Sequence, residues 1–125
     1  MHKKFITIAA ILGALTVGLG AFGAHGLKKI LEPAQLVTYE TAVRYQFYHV
    51  FALLAVGILW QQFGNKALLW AGRFFIIGIT VFSGSLYLLC LLPQYPWLGA
   101  ITPVGGICFI VGWLCVAVAV SKKQG

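Results

Sequence analysis

Charge is what this sequence has least of. Of 125 residues, 9 % are charged and only two are acidic, Glu32 and Glu40. Hydrophobic residues make up 61 % and the mean hydropathy is +0.94. A soluble domain must turn a polar outside to water, so this composition excludes that class. Cysteine is also scarce. Cys90, Cys108 and Cys115 are odd in number, lie in apolar segments and include no C-x-x-C, which argues against a disulfide framework or a zinc site. The three read as small apolar packers. There is no H-E-x-x-H, G-x-S-x-G, P-loop or dinucleotide fingerprint, so no enzyme class, metal or cofactor is expected. Nor does any basic run alternate with aromatic residues, which excludes a nucleic-acid partner. No linker, second domain, low-complexity region or long internal repeat is evident.

What is present is a series of long apolar runs. Phe5 to Ala24 is 20 residues without a charge, enough to cross about 30 Å of hydrocarbon. A signal peptide is the competing reading; the length of the run and the spans that follow argue against it. Gly26 is placed to end this helix with a positive φ. Glu32-Pro33 has the form of a helix start, and one helix is expected from there to about Phe63, with its first turns at the interface and its span at 42–63. Gln61 to Ala71 reads as a turn flanked by Trp60 and Trp70, and Phe74 to Leu92 as the third apolar run, giving a span at 73–92. Leu92 to Leu98 is a proline-containing loop. Thr102-Pro103 reads as N-cap and first turn of the fourth span, 101–120. The expected fold is an all-α membrane bundle of four transmembrane helices with spans at 5–24, 42–63, 73–92 and 101–120, in one domain and with the lipid bilayer as its main partner.

Small residues form two stripes at helical spacing. Ala9, Gly13, Thr16, Gly20 and Gly23 share a face of the first helix; Gly105, Cys108, Gly112, Cys115 and Ala119 share one of the fourth. Such stripes let membrane helices approach closely, so Gly13, Gly20, Gly84, Gly105 and Gly112 are expected packing positions. The positive-inside rule sets orientation. Lys3, Lys4, Lys66, Arg73, Lys122 and Lys123 fall on one side, Lys28, Lys29 and Arg44 on the other. Both termini are therefore expected in the cytoplasm, with the stretch from His25 to His49 facing outward.

That stretch holds most of the polar chemistry. Glu40 and Arg44 are four apart with the acid first, the favourable order for a helical ion pair. Alternatively Arg44 holds an anion, since its fork suits a phosphate or carboxylate. His49 lies with Ala42, Tyr45, Gln46 and Leu53, nearly opposite Glu40 and Arg44. It reads either as a neutral imidazole bonded to a helix-3 hydroxyl or a backbone carbonyl, or as a proton-accepting or ligand-binding group. His25 is either an interfacial turn residue or a member of the same site. Haem ligation by His25 and His49 is a remote alternative. The polar groups Arg44, Tyr45, Gln46, His49, Ser83 and Ser85 all sit in the outer half, whereas the inner half offers Thr7 and glycines. A carrier or pore needs polar groups through the full depth. The expectation is a pocket open to one side that takes a small anionic or lipid ligand. A structural subunit, packing into a homo-oligomer or membrane complex, is the alternative; a proton-coupled carrier or membrane enzyme using His49 is a lesser one.

The stretches GAFGAHGL (Gly20 to Leu27), ETAVRYQFYH (Glu40 to His49), FSGSLYLL (Phe82 to Leu89) and LGAITPVGG (Leu98 to Gly106), followed by Gly112-Trp113, resemble the small membrane family called domain of unknown function 423, whose animal relative is transmembrane protein 256. The resemblance implies a multi-pass protein of the bacterial plasma membrane. It implies no substrate, reaction or cofactor.

Overall fold

The computed structural model describes residues 2–122. Lys123, counted above toward one side's charge, lies outside them. Helix α1 (Lys3–His25) starts where His2 Nδ1 accepts the Phe5 amide at 3.2 Å. It does not end on a positive φ. Gly26 has φ −76°, and the chain continues right-handed into a 3₁₀ turn, Leu27–Lys29. Glycine serves position 26 by its lack of bulk, because a Cβ there would lie 2.8 Å from the Phe22 ring.

Helix α2 (Pro33–Phe63) starts as Glu32-Pro33 implied. Glu32 and Gln35 close a reciprocal capping box, with the Glu32 amide donating to Gln35 Oε1 at 2.9 Å. Its 31 residues extend about 46 Å at 1.5 Å per residue. That exceeds the hydrocarbon thickness, so one end must stand in the interface.

The next connection is only Gly64–Asn65, not the expected Gln61 to Ala71. Asn65 Oδ1 accepts the Leu68 amide at 3.0 Å, starting α3 (Lys66–Gly78) well before Phe74. Lys66 and Arg73 do not interrupt the helix. They are exposed on its side, and the Arg73 guanidinium lies over the Trp70 ring at 4.9 Å. A π-helical segment, Ile79–Ser83, joins α3 to α4 (Gly84–Leu91), making one continuous span of 26 residues.

Helix α5 (Leu98–Ser121) starts about one turn earlier than expected. Thr102 does not cap it, and Pro103 lies within it. The Thr102 hydroxyl meets the Ser85 hydroxyl at 2.6 Å instead.

The chain thus has four helices long and apolar enough to cross a membrane. The His2 amide donates to Gly57 O, and Asn65 Nδ2 donates to Ala119 O. These bonds gather the two ends of the described chain and the α2–α3 turn at one end of the bundle. The Leu27–Glu32 segment and the Leu92–Trp97 loop form the other end. Helix α1 packs along α2 and α5 along α3, while α2 joins the two pairs through α3, the π segment and α4.

Lipid offers no hydrophobic drive for helices to associate, so fit and hydrogen bonds must do it. The fit comes from rings seated on glycines. Phe75 of α3 sits on Gly112 of α5, and Phe109 of α5 sits on Gly78 of α3. Phe5 of α1 covers Gly72 of α3. At Gly105 backbone meets backbone: a Cβ there would lie 2.4 Å from the Phe82 nitrogen. Around Gly13 and Gly20 the contacts are ordinary, at 3.5 Å from Val50 and Val43. Gly84 faces open space and is not a packing position.

Candidate functional site

The half of the bundle nearer the chain ends is filled by apolar side chains, among them Phe5, Val56, Leu68, Ala71, Phe75 and Ala119. The polar side chains singled out in the sequence lie beyond this plug, and they do not converge. The structure separates them into three groups.

The first is a bonded chain across three helices. Thr16 donates to Leu12 O of its own helix and accepts from Gln46 Nε2 at 2.7 Å. Gln46 Oε1 accepts from the Tyr87 hydroxyl at 2.7 Å. The amide of Gln46 thereby ties α1, α2 and α4 together. Ser83 and Ser85 are also committed. Ser83 donates to Ala42 O at 2.8 Å, linking the π segment to α2, and Ser85 links α4 to α5 through Thr102.

The second group surrounds His49, which is 5 % exposed. Its Nδ1 is 2.7 Å from Tyr45 O, and its Nε2 accepts the Trp113 indole N–H at 3.1 Å. An indole can only donate, so Nε2 carries no proton, Nδ1 does, and the ring is neutral. Phe109 stacks on it at 3.5 Å, with the planes 7° apart. This matches the neutral imidazole on a backbone carbonyl, with Trp113 as a further partner. A proton or a metal at Nε2 would have to displace the indole. Beside His49, a cleft of about 450 Å³ between α2 and α5 is lined by Tyr45, Pro103, Ile107, Ile110 and Trp113. Its walls are almost wholly apolar.

The third group lies across α2. Glu40 and Arg44 are exposed and share a groove of about 270 Å³ between α1 and α2, with Gly20, Gly23, Ala24, Tyr39 and Val43. The expected ion pair does not form. Among the described residues neither charge has an ion-pair partner. Both side chains are exposed, and pairing two exposed long side chains gains little. Tyr39 forms the floor, its hydroxyl donating to Leu19 O at 2.6 Å and its ring covering Gly23. His25 is exposed at the end of α1 and lines none of these clefts.

The expected single pocket is therefore replaced by two separate clefts and a set of structural bonds. Sequence reasoning missed Trp113 and Phe109 as partners of His49, and Tyr87 as the partner of Gln46. Tyr87 left a trace, since at α-helical spacing it shares a face of the third run with Thr80, Ser83 and Gly84. Trp113 stood only within the Gly112-Trp113 resemblance, and its contact depends on how α5 is rotated against α2.

A family model described as "Protein of unknown function (DUF423)" matches residues 19–106. The chain is 44 % identical to a UPF0382 membrane protein of Staphylococcus epidermidis, over 98 % of this chain and 99 % of that one. It is 44 % identical to the UPF0382 membrane protein YwdK of Bacillus subtilis, over 96 % and 98 % of the two chains. With a UPF0382 membrane protein of Haemophilus influenzae the identity is 39 %, over 99 % and 98 %. No solved structure matches the chain. The match of its model over 88 of 125 residues, together with relatives alike from end to end, shows that this chain belongs to the DUF423 family of membrane proteins.

Proposed function

We propose that this chain is a non-enzymatic protein of the bacterial plasma membrane that holds a phospholipid in the groove at Arg44, with its termini in the cytoplasm and the groove in the outer leaflet. The observation that carries the reading is a contrast. Gln46, His49, Ser83 and Ser85 are spent on neighbouring helices, while Arg44, at the edge of a cleft, has no ion-pair partner among the described residues. A guanidinium in a headgroup region takes a phosphate bidentately. Gly20 faces Val43 and Gly23 faces Tyr39, so the groove runs from Arg44 toward the Leu27–Glu32 end, on the headgroup side of the phosphate.

The apolar plug near the chain ends supports a binding role over a carrier, which needs polar groups through the full depth. Gly105 and Gly112 speak against the subunit reading. Both are filled by this chain's own Phe82 and Phe75, so that stripe is used inside the bundle.

Native mass spectrometry of protein extracted with its own lipids tests the proposal. Wild type should carry a lipid mass that Arg44→Ala loses and His49→Ala keeps. An equal lipid load in wild type and Arg44→Ala would end it.

A further inference from the structure

Glu40 is the part of the groove that a simple phosphate site does not explain. A carboxylate beside Arg44 repels the very phosphate the arginine attracts. The two nevertheless share one cleft, exposed and without ion-pair partners among the described residues. Their order along the helix is informative. Helix α2 runs from the Leu27–Glu32 end of the bundle toward the Gly64–Asn65 turn, so Arg44 lies about 6 Å deeper than Glu40. A zwitterionic phospholipid from the same leaflet has this order of charge. Its phosphate is next to the glycerol, on the acyl side, and its ammonium is two carbons further toward water.

We infer that the groove selects a phospholipid with a primary-amine headgroup of the ethanolamine type, Arg44 taking the phosphate and Glu40 the ammonium; this rests on the reading that the groove holds a phospholipid. The primary ammonium offers three N–H donors to the carboxylate, which a quaternary choline cannot. A glycerol headgroup brings no cation at all, and its net negative charge faces Glu40. Lys28 and Lys29 stand exposed on the 3₁₀ turn at the same end of the bundle and favour anionic lipid in general. Glu40, in the wall of the cleft itself, decides among headgroups.

The test uses the intact protein in mild detergent with an equimolar mixture of phosphatidylethanolamine, phosphatidylcholine and phosphatidylglycerol of identical acyl chains, read by native mass spectrometry. A charge-assisted hydrogen bond corresponds to a preference of about tenfold or more, so wild type should retain the ethanolamine lipid over the other two by that ratio. Glu40→Gln should keep its lipid load but lose the preference. Arg44→Ala should lose the load. Both side chains are exposed, so these variants keep the fold; matching thermal unfolding checks this. If Glu40→Gln retains the wild-type preference, or wild type favours the glycerol lipid, the inference falls while the phospholipid site stands. If Arg44→Ala retains lipid undiminished, the site itself falls and the inference with it. A second copy seated in the groove would appear as a dimer in place of bound lipid, and that too would overturn the inference.

Discussion

At the scale of single residues, the glycines separate into those that a carbon would break and those it would not. A Cβ on Gly105 meets the Phe82 nitrogen at 2.4 Å and its Cα at 2.7 Å, and backbone cannot step aside as a side-chain tip can. Around Gly84 nothing lies within 4 Å. Over-packing a close contact costs about 1–3 kcal/mol, and replacing a helical glycine by alanine in open space gains about 0.5–1 kcal/mol. Gly105→Ala should therefore lower the thermal unfolding midpoint in detergent, while Gly84→Ala leaves it unchanged or raised. Equal midpoints for the two variants would contradict the close contact of α5 with the π segment. The stripe of Gly105 and Gly112 was visible in the sequence as spacing. Gly72 and Gly78 were not, because six residues apart they fall on different faces of one helix and make no stripe.

At the scale of elements, the 66–91 span departs most from a regular helix. Its π segment carries a five-residue bond from the Gly84 amide to Ile79 O. A π turn holds one residue more than an α turn, and this changes which side chains share a face. With uniform α periodicity Thr80, Ser83, Gly84 and Tyr87 form one polar stripe. In the structure Thr80 is exposed and bonded to its own helix at Ile76 O, while Ser83 is buried against α2. Nothing in the run ITVFS announces this, since a π turn is set by the tertiary contacts on either side of it. The helix starts were more legible. Glu32-Pro33-x-Gln35 carries its cap in its own side chains, and α2 begins there. At Asn65 the cap was hidden among Lys66, Trp70 and Arg73, which read as an interfacial loop.

The π segment also predicts how the span tolerates deletion. Removing Thr80 should leave a regular α-helix with the flanking faces in register. Removing Leu86 turns Tyr87 about 100° away from Gln46. The Thr80 deletion should purify as a folded monodisperse protein, with the Leu86 deletion aggregating or unfolding at markedly lower temperature. Size-exclusion chromatography and thermal unfolding distinguish them. Two equally damaged proteins would mean that the segment is not a one-residue insertion.

At the scale of the whole molecule, composition alone carried the class. Four apolar runs and little charge leave few arrangements, because a chain in lipid must satisfy its backbone within helices. The site was legible only in part. The sequence displayed which polar residues lie toward one end, but not which of them bond to each other, and that depends on helix rotation. Gln46 looked available and is spent, His49 took the bonded one of its two readings, and Glu40 and Arg44, which could have paired, do not among the described residues. The orientation expected from six lysines and arginines set against three is testable independently of any ligand. A cysteine at Gln94, exposed in the Leu92–Trp97 loop, should react with an impermeant maleimide on intact cells. A cysteine at Gln61, exposed at the opposite end, should react only after lysis. The reverse pattern would turn the protein over and move the Arg44 groove to the cytoplasmic leaflet.

The contact between His49 and Trp113 has a practical side. The indole is 49 % exposed beside the cleft, yet its N–H is held by one imidazole on the neighbouring helix. Its emission and its indole proton resonance therefore report on a single event, the seating of α5 against α2. With Trp60, Trp70 and Trp97 changed to phenylalanine, the protein carries its own optical gauge of helix docking, placed beside a lipid-facing cleft where an attached dye would disturb what it measures.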